Sequence, residues 1–411
     1  MDVKEKIVEI LKKDFVCDRC LGRGFAQLLS GLKNEDRGRI LRYYIAMLMD
    51  SGEKIDVDES SFYGIKFHLK KIKPKKPKKC SICSDIFSEL KKKEKAIIKK
   101  LKKYEYNTFL VGCRLTPELV EKEQVLWNRT GIEWCESIKN EINREVGREI
   151  ERITGKVMNR KLPDITILLD LNANEIKLNV RSIYVYGKYQ KLVRGIPQTK
   201  WKKRRFRTSV QELIENPFLK QLNAEKSVFH GAGREDVNAR CLGWRPFVIE
   251  LVNPRKRKLK LREVQKKINK SKKVKVKNLK IVERNVIKKI KYANYDKTYR
   301  ALVEFENPVE NLKKVKQLKD AIIAQKTPTR VLRRRAHKLR RRRIKDIKFK
   351  LLSKSKVEFK IKTQAGLYVK ELINGDDGRT EPNISGLMNN KVKKIELDVI
   401  KVHSDRDGTK I

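Results

Sequence analysis

Phe229-His230-Gly231-Ala232-Gly233-Arg234-Glu235-Asp236-Val237-Asn238 is the stretch on which the reading of this chain turns. Two glycines bend the backbone beside an Arg, a Glu and an Asp, charges that are costly to gather unless they are paired or put to use. The glycines admit a second reading, a loop that cradles a phosphate or a methyl-donor cofactor. Neither G-x-G-x-x-G nor a P-loop lysine follows, however, and acidic residues directly after the glycines repel a phosphate. Cofactor binding is therefore the weaker reading of the loop.

Around this loop lies a chain of 411 residues, long enough for at least two hydrophobic cores. Lys and Arg number 102 against 51 Asp and Glu, a formal net charge of +51, which calls for a polyanionic partner. With 39% hydrophobic residues the chain can still offset the entropy of folding, so it is a folded basic protein and not a disordered tail. No apolar stretch approaches the roughly 18 residues that suggest a membrane span, and Met1 to Lys13 alternates charged with apolar residues. A cytoplasmic protein with no membrane association is expected, and nucleic acid is a better partner for the charge than a lipid surface.

Seven cysteines are an odd number for a disulfide framework, and four of them form two C-x-x-C pairs, Cys17/Cys20 and Cys80/Cys83. We expect these four to hold a structural zinc ion, although the 59 residues between the pairs far exceed finger spacing. Cys113, Cys135 and Cys241 read as small buried apolar residues.

Along the chain, Asp2 and Glu5 have capping-box spacing before a short amphipathic helix. Helices are predicted over about 37–50 and 85–103, separated by a Lys/Pro linker at 73–77. From about Thr108 the pattern is mixed: a short strand at 109–111, a helix over 134–153, and strands at 165–171 and 175–186 joined by Asn172-Ala173-Asn174. Beyond Gly195, strands are predicted at 246–252, 299–305 and 357–362, with a helix near 312–324, in an α+β region dominated by antiparallel sheet. Two basic stretches interrupt it. The Lys-rich one, 255–291, reads equally as a solvated face. In the other, 330–345, ten of sixteen residues are Lys or Arg, and the arginines Arg333, Arg334, Arg335, Arg341 and Arg342 suit bidentate phosphate contacts and stacking on unpaired RNA bases.

Gly233-Arg234-Glu235-Asp236 resembles the G-R-x-D signature of pseudouridine synthases. Two further blocks agree in order: Lys297-Thr298-Tyr299-Arg300-Ala301-Leu302-Val303 and Ala365-Gly366-Leu367-Tyr368-Val369-Lys370-Glu371. With the paired cysteines at the front, nearly the whole chain resembles the archaeal and eukaryotic tRNA pseudouridine synthase family that modifies uridines 54 and 55 of the T-loop. The resemblance implies a multidomain α+β chain. It would comprise a zinc-binding part at 1–105, a THUMP-like RNA-binding module at 106–193, and a catalytic domain at 194–411. That domain would have the pseudouridine synthase fold, a mixed and mainly antiparallel sheet, with 255–291 and 330–345 as basic insertions.

By the same resemblance Asp236 is the nucleophile, and Tyr299 stacks on the target uracil and is a candidate for moving a proton. Tyr368 is a second substrate contact, Lys370 pairs with the aspartate, Arg234 helps hold the flipped nucleotide, and Leu397 packs beneath the site. The chain departs from the family pattern at Asn238, where a second Asp is usual, at Trp244, where Gly usually precedes Arg-Pro-Phe, and at Asn374, where His is common. The implied partner is tRNA, gripped at its T-loop and acceptor arm, with no obligate protein partner. No organic cofactor is implied, since isomerising uridine cuts N1–C1′ and rejoins through C5 with nothing lost but the C5 proton; an ionised Asp236 can attack ribose C1′ or act as base at C2′ in a glycal route, and the sequence leaves both open. The competing reading is a non-catalytic, basic tRNA-binding or chaperone protein. The catalytic reading requires Asp236, Tyr299, Tyr368 and Lys370 to converge in one cleft.

Overall fold

The computed structural model describes residues 1–201 and 206–404, which form two compact units divided between Arg181 and Ser182. In the first unit the capping box forms as expected: the Asp2 carboxylate accepts from the Glu5 backbone N–H at 2.8 Å and starts helix α1 (Val3–Leu11). Then come α2 (Asp18–Arg23), α3 (Asn34–Asp50), α4 (Ile86–Leu101), β1 (Thr108–Arg114), α5 (Pro117–Thr130), α6 (Ile138–Thr154), β2 (Val157–Met158), β3 (Ile165–Asp170) and β4 (Glu175–Val180). The sheet runs in the order β2-β1-β3-β4, with β1 parallel to both β2 and β3 and the β3/β4 hairpin antiparallel. A continuous core joins Ile7, Leu21, Phe62 and Ile97 to Phe109, Ile142 and Ile167, so the cysteine-bearing segment and the sheet share one interior.

Helices α2 and α3 cross backbone to backbone. A Cβ on Gly22 would lie 1.8 Å from the Asn34 carbonyl oxygen, and one on Gly38 equally close to that of Asp18. Backbone cannot yield as a flexible side chain can, so Gly22→Ala is expected to cost about 2–4 kcal/mol. Thermal melting checks this, and an unchanged midpoint would contradict so close a crossing.

The second unit comprises β5 (Ile183–Lys191), α7 (Val210–Leu222), β6 (Ala224–Gly231), β7 (Arg240–Pro254), α8 (Leu261–Asn269), β8 (Val274–Val282), α9 (Asn285–Tyr292), β9 (Lys297–Phe305), β10 (Ile322–Gln325), β11 (Arg340–Ser353), β12 (Lys356–Thr363), α10 (Val369–Asn374), β13 (Thr380–Glu381), α11 (Ile384–Met388) and β14 (Val392–Val402). Its strands run β13-β10-β11-β12-β9-β14-β7-β5-β8, with β6 also on β7. Every pairing is antiparallel except β14 with β7, the mixed, mainly antiparallel sheet that was expected.

The structure redraws several sequence boundaries. The strand expected at 175–186 is two strands in different sheets. It breaks at Arg181, whose guanidinium turns to Asp164 at 2.7 Å, and residues 183–191 belong to the second unit and not to the middle module. The helix expected at 134–153 begins at Ile138, after the Ser137 side chain caps Asn140, and α5 precedes it behind a Thr116-Pro117 start. The helix expected at 312–324 is a 3-10 turn, Leu312–Leu318, followed by β10; positive φ at Asn311 and Asp320 limits the turn at both ends. Nor do the two basic stretches interrupt the sheet. Residues 255–291 supply α8, α9 and the edge strand β8, with Val274 and Val276 turned inward and Lys275 outward. Arg340–Lys345 opens β11, a strand with neighbours on both sides.

Candidate active site

The Gly-Arg-Glu-Asp loop, 232–239, joins β6 to β7, and polar side chains hold five of its carbonyls. Arg245, 1% exposed, donates to the Ala232 carbonyl at 2.9 Å and pairs with Glu235 at 3.2 Å. Tyr189 donates to the same Glu235 carboxylate, and the Gln198 amide donates to the Gly233 carbonyl at 3.0 Å. The fully buried Lys191 ammonium donates to the carbonyls of Asp236 (3.1 Å) and Val237 (2.9 Å), while Arg194 reaches that of Asn238 at 2.7 Å. Burial brings the Lys191 pKa down to about 8, so the ammonium persists at neutral pH. Gly233 sits at φ +79°, and a Cβ there would meet the Arg245 guanidinium at 3.1 Å, which accounts for the second glycine.

So held, Asp236 faces a cleft of about 720 Å³. Tyr299 enters it from β9, between Val399 of β14 and Ile361 of β12. Tyr368 comes from the turn before α10 and Lys370 from the first turn of that helix; Leu397, buried on β14, and the exposed Arg234 complete the set. All six residues singled out around the motif thus line one cavity. Lys370 Nζ lies 3.1 Å from Asp236 Oδ2. Burial alone would raise the Asp236 pKa; Arg330 and then Lys370 outweigh it and hold the carboxylate below its ordinary range. Tyr299 is pushed up to about 12, chiefly by burial, so its phenol stays protonated and can donate. The Arg340 guanidinium lies 5.8 Å from the centre of the Tyr368 ring, a cation–π distance.

The arginine run is divided by the pleat of β11. Arg335, Arg340 and Arg342 line the Asp236 cleft. Arg341 points the other way, into a second basic depression with Arg343, Lys345 and Lys362. Arg333 is exposed, and the side chain of Arg334 lies outside the described residues. Two of the departures from the family pattern make other contacts: Asn238 meets Arg194 through its carbonyl, and Trp244 packs under the Lys277 ammonium at 4.4 Å. The motif reading passed over Arg330, Glu371, Arg245, Glu235 and Lys191. For Arg330 the only sequence signal was membership of a run in which it looks like its neighbours.

Residues 184–403 match the family described as Pus10, C-terminal, and residues 94–170 match Pus10 THUMP domain, archaeal. The chain belongs to the Pus10 family. It is 39% identical to the tRNA pseudouridine synthase Pus10 of Thermofilum pendens over 97% of this chain and 95% of that one. It is 37% identical to the tRNA pseudouridine synthase Pus10 of Pyrococcus furiosus over 99% of both. A solved Cbf5-Nop10-Gar1 complex has a chain that is similar over 52% of this one and 48% of its own, at 17% identity and a TM-score of 0.31.

The Pus10-type first unit also brings together the four paired cysteines. Cys17 precedes α2 and Cys20 lies within it, while the Ser81 N–H bonds the Phe15 carbonyl at 2.9 Å and so sets the 80–83 turn against the first pair. All four Sγ atoms lie within 4.8 Å of one another, and Cys17 and Cys83 are 3.7 Å apart. Four thiolates about 2.3 Å from a tetrahedral ion have S···S edges of about 3.8 Å, so the set fits a metal ion. The Cys17 N–H points at Cys80 Sγ and the Arg23 guanidinium at Cys20 Sγ, both 3.4 Å away, donors that favour ionised sulfur. Cys113 and Cys241 are buried as expected, and Cys135 is half-buried. Among the described residues no helix is long and apolar enough to cross a membrane.

Proposed function

We propose that this chain is a tRNA pseudouridine synthase that isomerises uridines 54 and 55 of the T-loop, with Asp236 as nucleophile. The observation that carries this reading is the convergence of Asp236, Lys370, Tyr299 and Tyr368 in one cleft of the domain that matches the family. The target uridine leaves the loop stack at a cost of a few kcal/mol, offset by stacking on the tyrosines and by phosphate contacts with the basic rim. Asp236, kept ionised by its cationic neighbours, attacks ribose C1′ and the N1–C1′ bond breaks. The freed uracil turns so that C5 faces C1′, the C5–C1′ bond forms, the carboxylate departs, the C5 proton is lost to solvent and N1 is protonated. Arg234 steadies the flipped nucleotide, and Leu397 supports the base from below. We assign the tRNA grip to the basic surface, including Arg333, Arg334, Arg335, Arg341 and Arg342, and to the THUMP-matching region on the T-loop and acceptor arm. A zinc ion on Cys17, Cys20, Cys80 and Cys83 is assigned a structural role, and the cytoplasm is the expected compartment.

Incubation with an unmodified tRNA transcript tritiated at uridine C5 tests this reading. Tritium should be released to water, and carbodiimide mapping should place pseudouridine at positions 54 and 55. Tight binding without release would favour the non-catalytic clamp.

A further inference from the structure

We propose that Arg330 is a positioning residue for Asp236, and that the buried Glu371 acts on the nucleophile through it; this rests on the reading of Asp236 given above. Four charged side chains form a chain, Lys370–Asp236–Arg330–Glu371, whose two ends are neighbours on α10. Lys370 Nζ holds Asp236 Oδ2 at 3.1 Å, and Arg330 Nη1 holds Oδ1 at 3.0 Å. The other edge of the same guanidinium meets Glu371, with Nε at 2.6 Å from Oε1 and Nη2 at 3.5 Å from Oε2. Lys370 and Glu371 are consecutive residues of α10, so one helical turn fixes both oxygens of Asp236, one directly and the other through Arg330. The Glu371 side chain is only 4% exposed, against 39% for Arg330. The arginine is thus anchored on its inner side and meets the cleft with its outer side.

The backbone around Arg330 is fixed as well. The Thr329 N–H donates to the Asp376 carboxylate at 3.0 Å, and Arg379 grips the Thr327 carbonyl at 2.8 Å. These anchors seat the 3-10 turn Thr329–Arg334 on the segment that follows α10. Arg333, Arg335, Arg341 and Arg343 suit RNA phosphate because they are exposed and no carboxylate among the described residues is bonded to them in the way Glu371 is to Arg330. Arg330 differs, because three of its donors and its charge are committed to two carboxylates, whose presence repels a phosphate. What remains is a fixed fork. It keeps Asp236 ionised beside a buried glutamate and sets the plane of its carboxylate, so that the lone pairs not engaged by Arg330 and Lys370 face the cleft. Orientation of that kind acts on the chemical step and not on RNA affinity.

The test compares Arg330→Gln, Arg330→Lys and the neighbouring control Arg333→Gln with the parent, measuring tRNA affinity, single-turnover rate and the pH dependence of kcat/KM. For Arg330→Gln the single-turnover rate should fall about 10- to 100-fold while tRNA affinity changes less than about threefold. The acid limb of kcat/KM should move to higher pH, because one of the two cations that depress the Asp236 pKa is gone. Lysine restores the charge but cannot bridge both carboxylates, so Arg330→Lys should bring the limb back toward the parent with the rate only partly recovered. Arg333→Gln should leave the limb in place. Matching circular dichroism spectra and melting midpoints exclude misfolding as the cause. An unmoved acid limb in Arg330→Gln, together with weaker tRNA binding, would make Arg330 one more phosphate contact and overturn the inference. That failure is distinct from failure of the underlying reading, in which the parent itself makes no pseudouridine or Asp236→Asn still does.

Discussion

Asp236→Asn is expected to bind unmodified tRNA as the parent does and to lose at least about 10⁴-fold in pseudouridine formation. The amide is nearly isosteric, and the backbone that presents it is held by Lys191, Arg194 and Gln198, none of which bonds the Asp236 side chain. The loop should therefore keep its shape. What disappears is the negative charge proposed to form the bond to C1′, and with it the ion pairs to Lys370 and Arg330, which are left facing a neutral group. Arg330 keeps its pairing with Glu371, so Lys370 is the cation whose charge is released, and affinity should hold or rise slightly while tritium release stops. In the parent, activity should persist on the acid side until pH falls through the depressed Asp236 pKa, below the ordinary carboxylate range. A variant that still releases tritium at a tenth of the parental rate would remove the carboxylate from the chemistry. Loss of both binding and release would mean that the loop had collapsed instead.

Asp236, Tyr299, Tyr368 and Lys370 were legible in the sequence because they lie in three short strings, Tyr368 and Lys370 sharing one. Finding them needed no knowledge of which strand pairs with which. The circuit that makes them a site was not legible. Arg330 joins Asp236 to Glu371 across separations of 94 and 41 residues, and nothing local distinguishes it from the other basic residues of its run. Arg245 was visible only as a neighbour of Trp244, although the structure buries it beneath the loop as the partner of Glu235. The fold shows the same division. Antiparallel dominance could be read from alternating strands such as Lys297–Phe305, whereas 255–291 and 330–345 looked like insertions because charge density masked the alternation. In β8 every second residue near its start is a lysine, yet Val274 and Val276 between them are fully buried. A strand at the edge of a sheet carries lysines at little cost and is shielded by them from pairing with other chains. Helix α5 escaped notice because its apolar face is thin, while Thr116-Pro117 at its start is a strong signal in retrospect.

The second large effect concerns the first unit: purified protein should carry about one zinc ion per chain, and Cys80→Ser should lose it and lower the melting temperature of residues 1–181. The four sulfurs lie within 4.8 Å of one another in opposed electrostatic surroundings. Cys80 is driven toward the thiolate by hydrogen bonds from Cys17, Cys20 and Cys83, whereas burial pushes Cys20 strongly the other way. A divalent ion would remove the conflict by favouring the ionised form of all four and stabilising the charge, with Arg23 adding a cation beside Cys20. It would also close the chain between Cys20 and Cys80, adding to contacts such as Arg42 to Asp18 at 2.6 Å that already tie α3 and the segment around it. Structural zinc contributes about 10–16 kcal/mol in small peptides at neutral pH. This unit has a core of its own, so we expect only part of that to appear. Even about 5 kcal/mol corresponds to a fall of roughly 10–20 °C in melting temperature for a unit of this size. Metal analysis by mass spectrometry, paired with melting curves of the parent, of the chelator-treated protein and of Cys80→Ser, reads this directly. Because the ligands must lose protons to bind, the treated and untreated curves should converge as the pH is lowered. Metal-free protein melting with the parent, and unaffected by Cys80→Ser, would reduce the four cysteines to packed thiols.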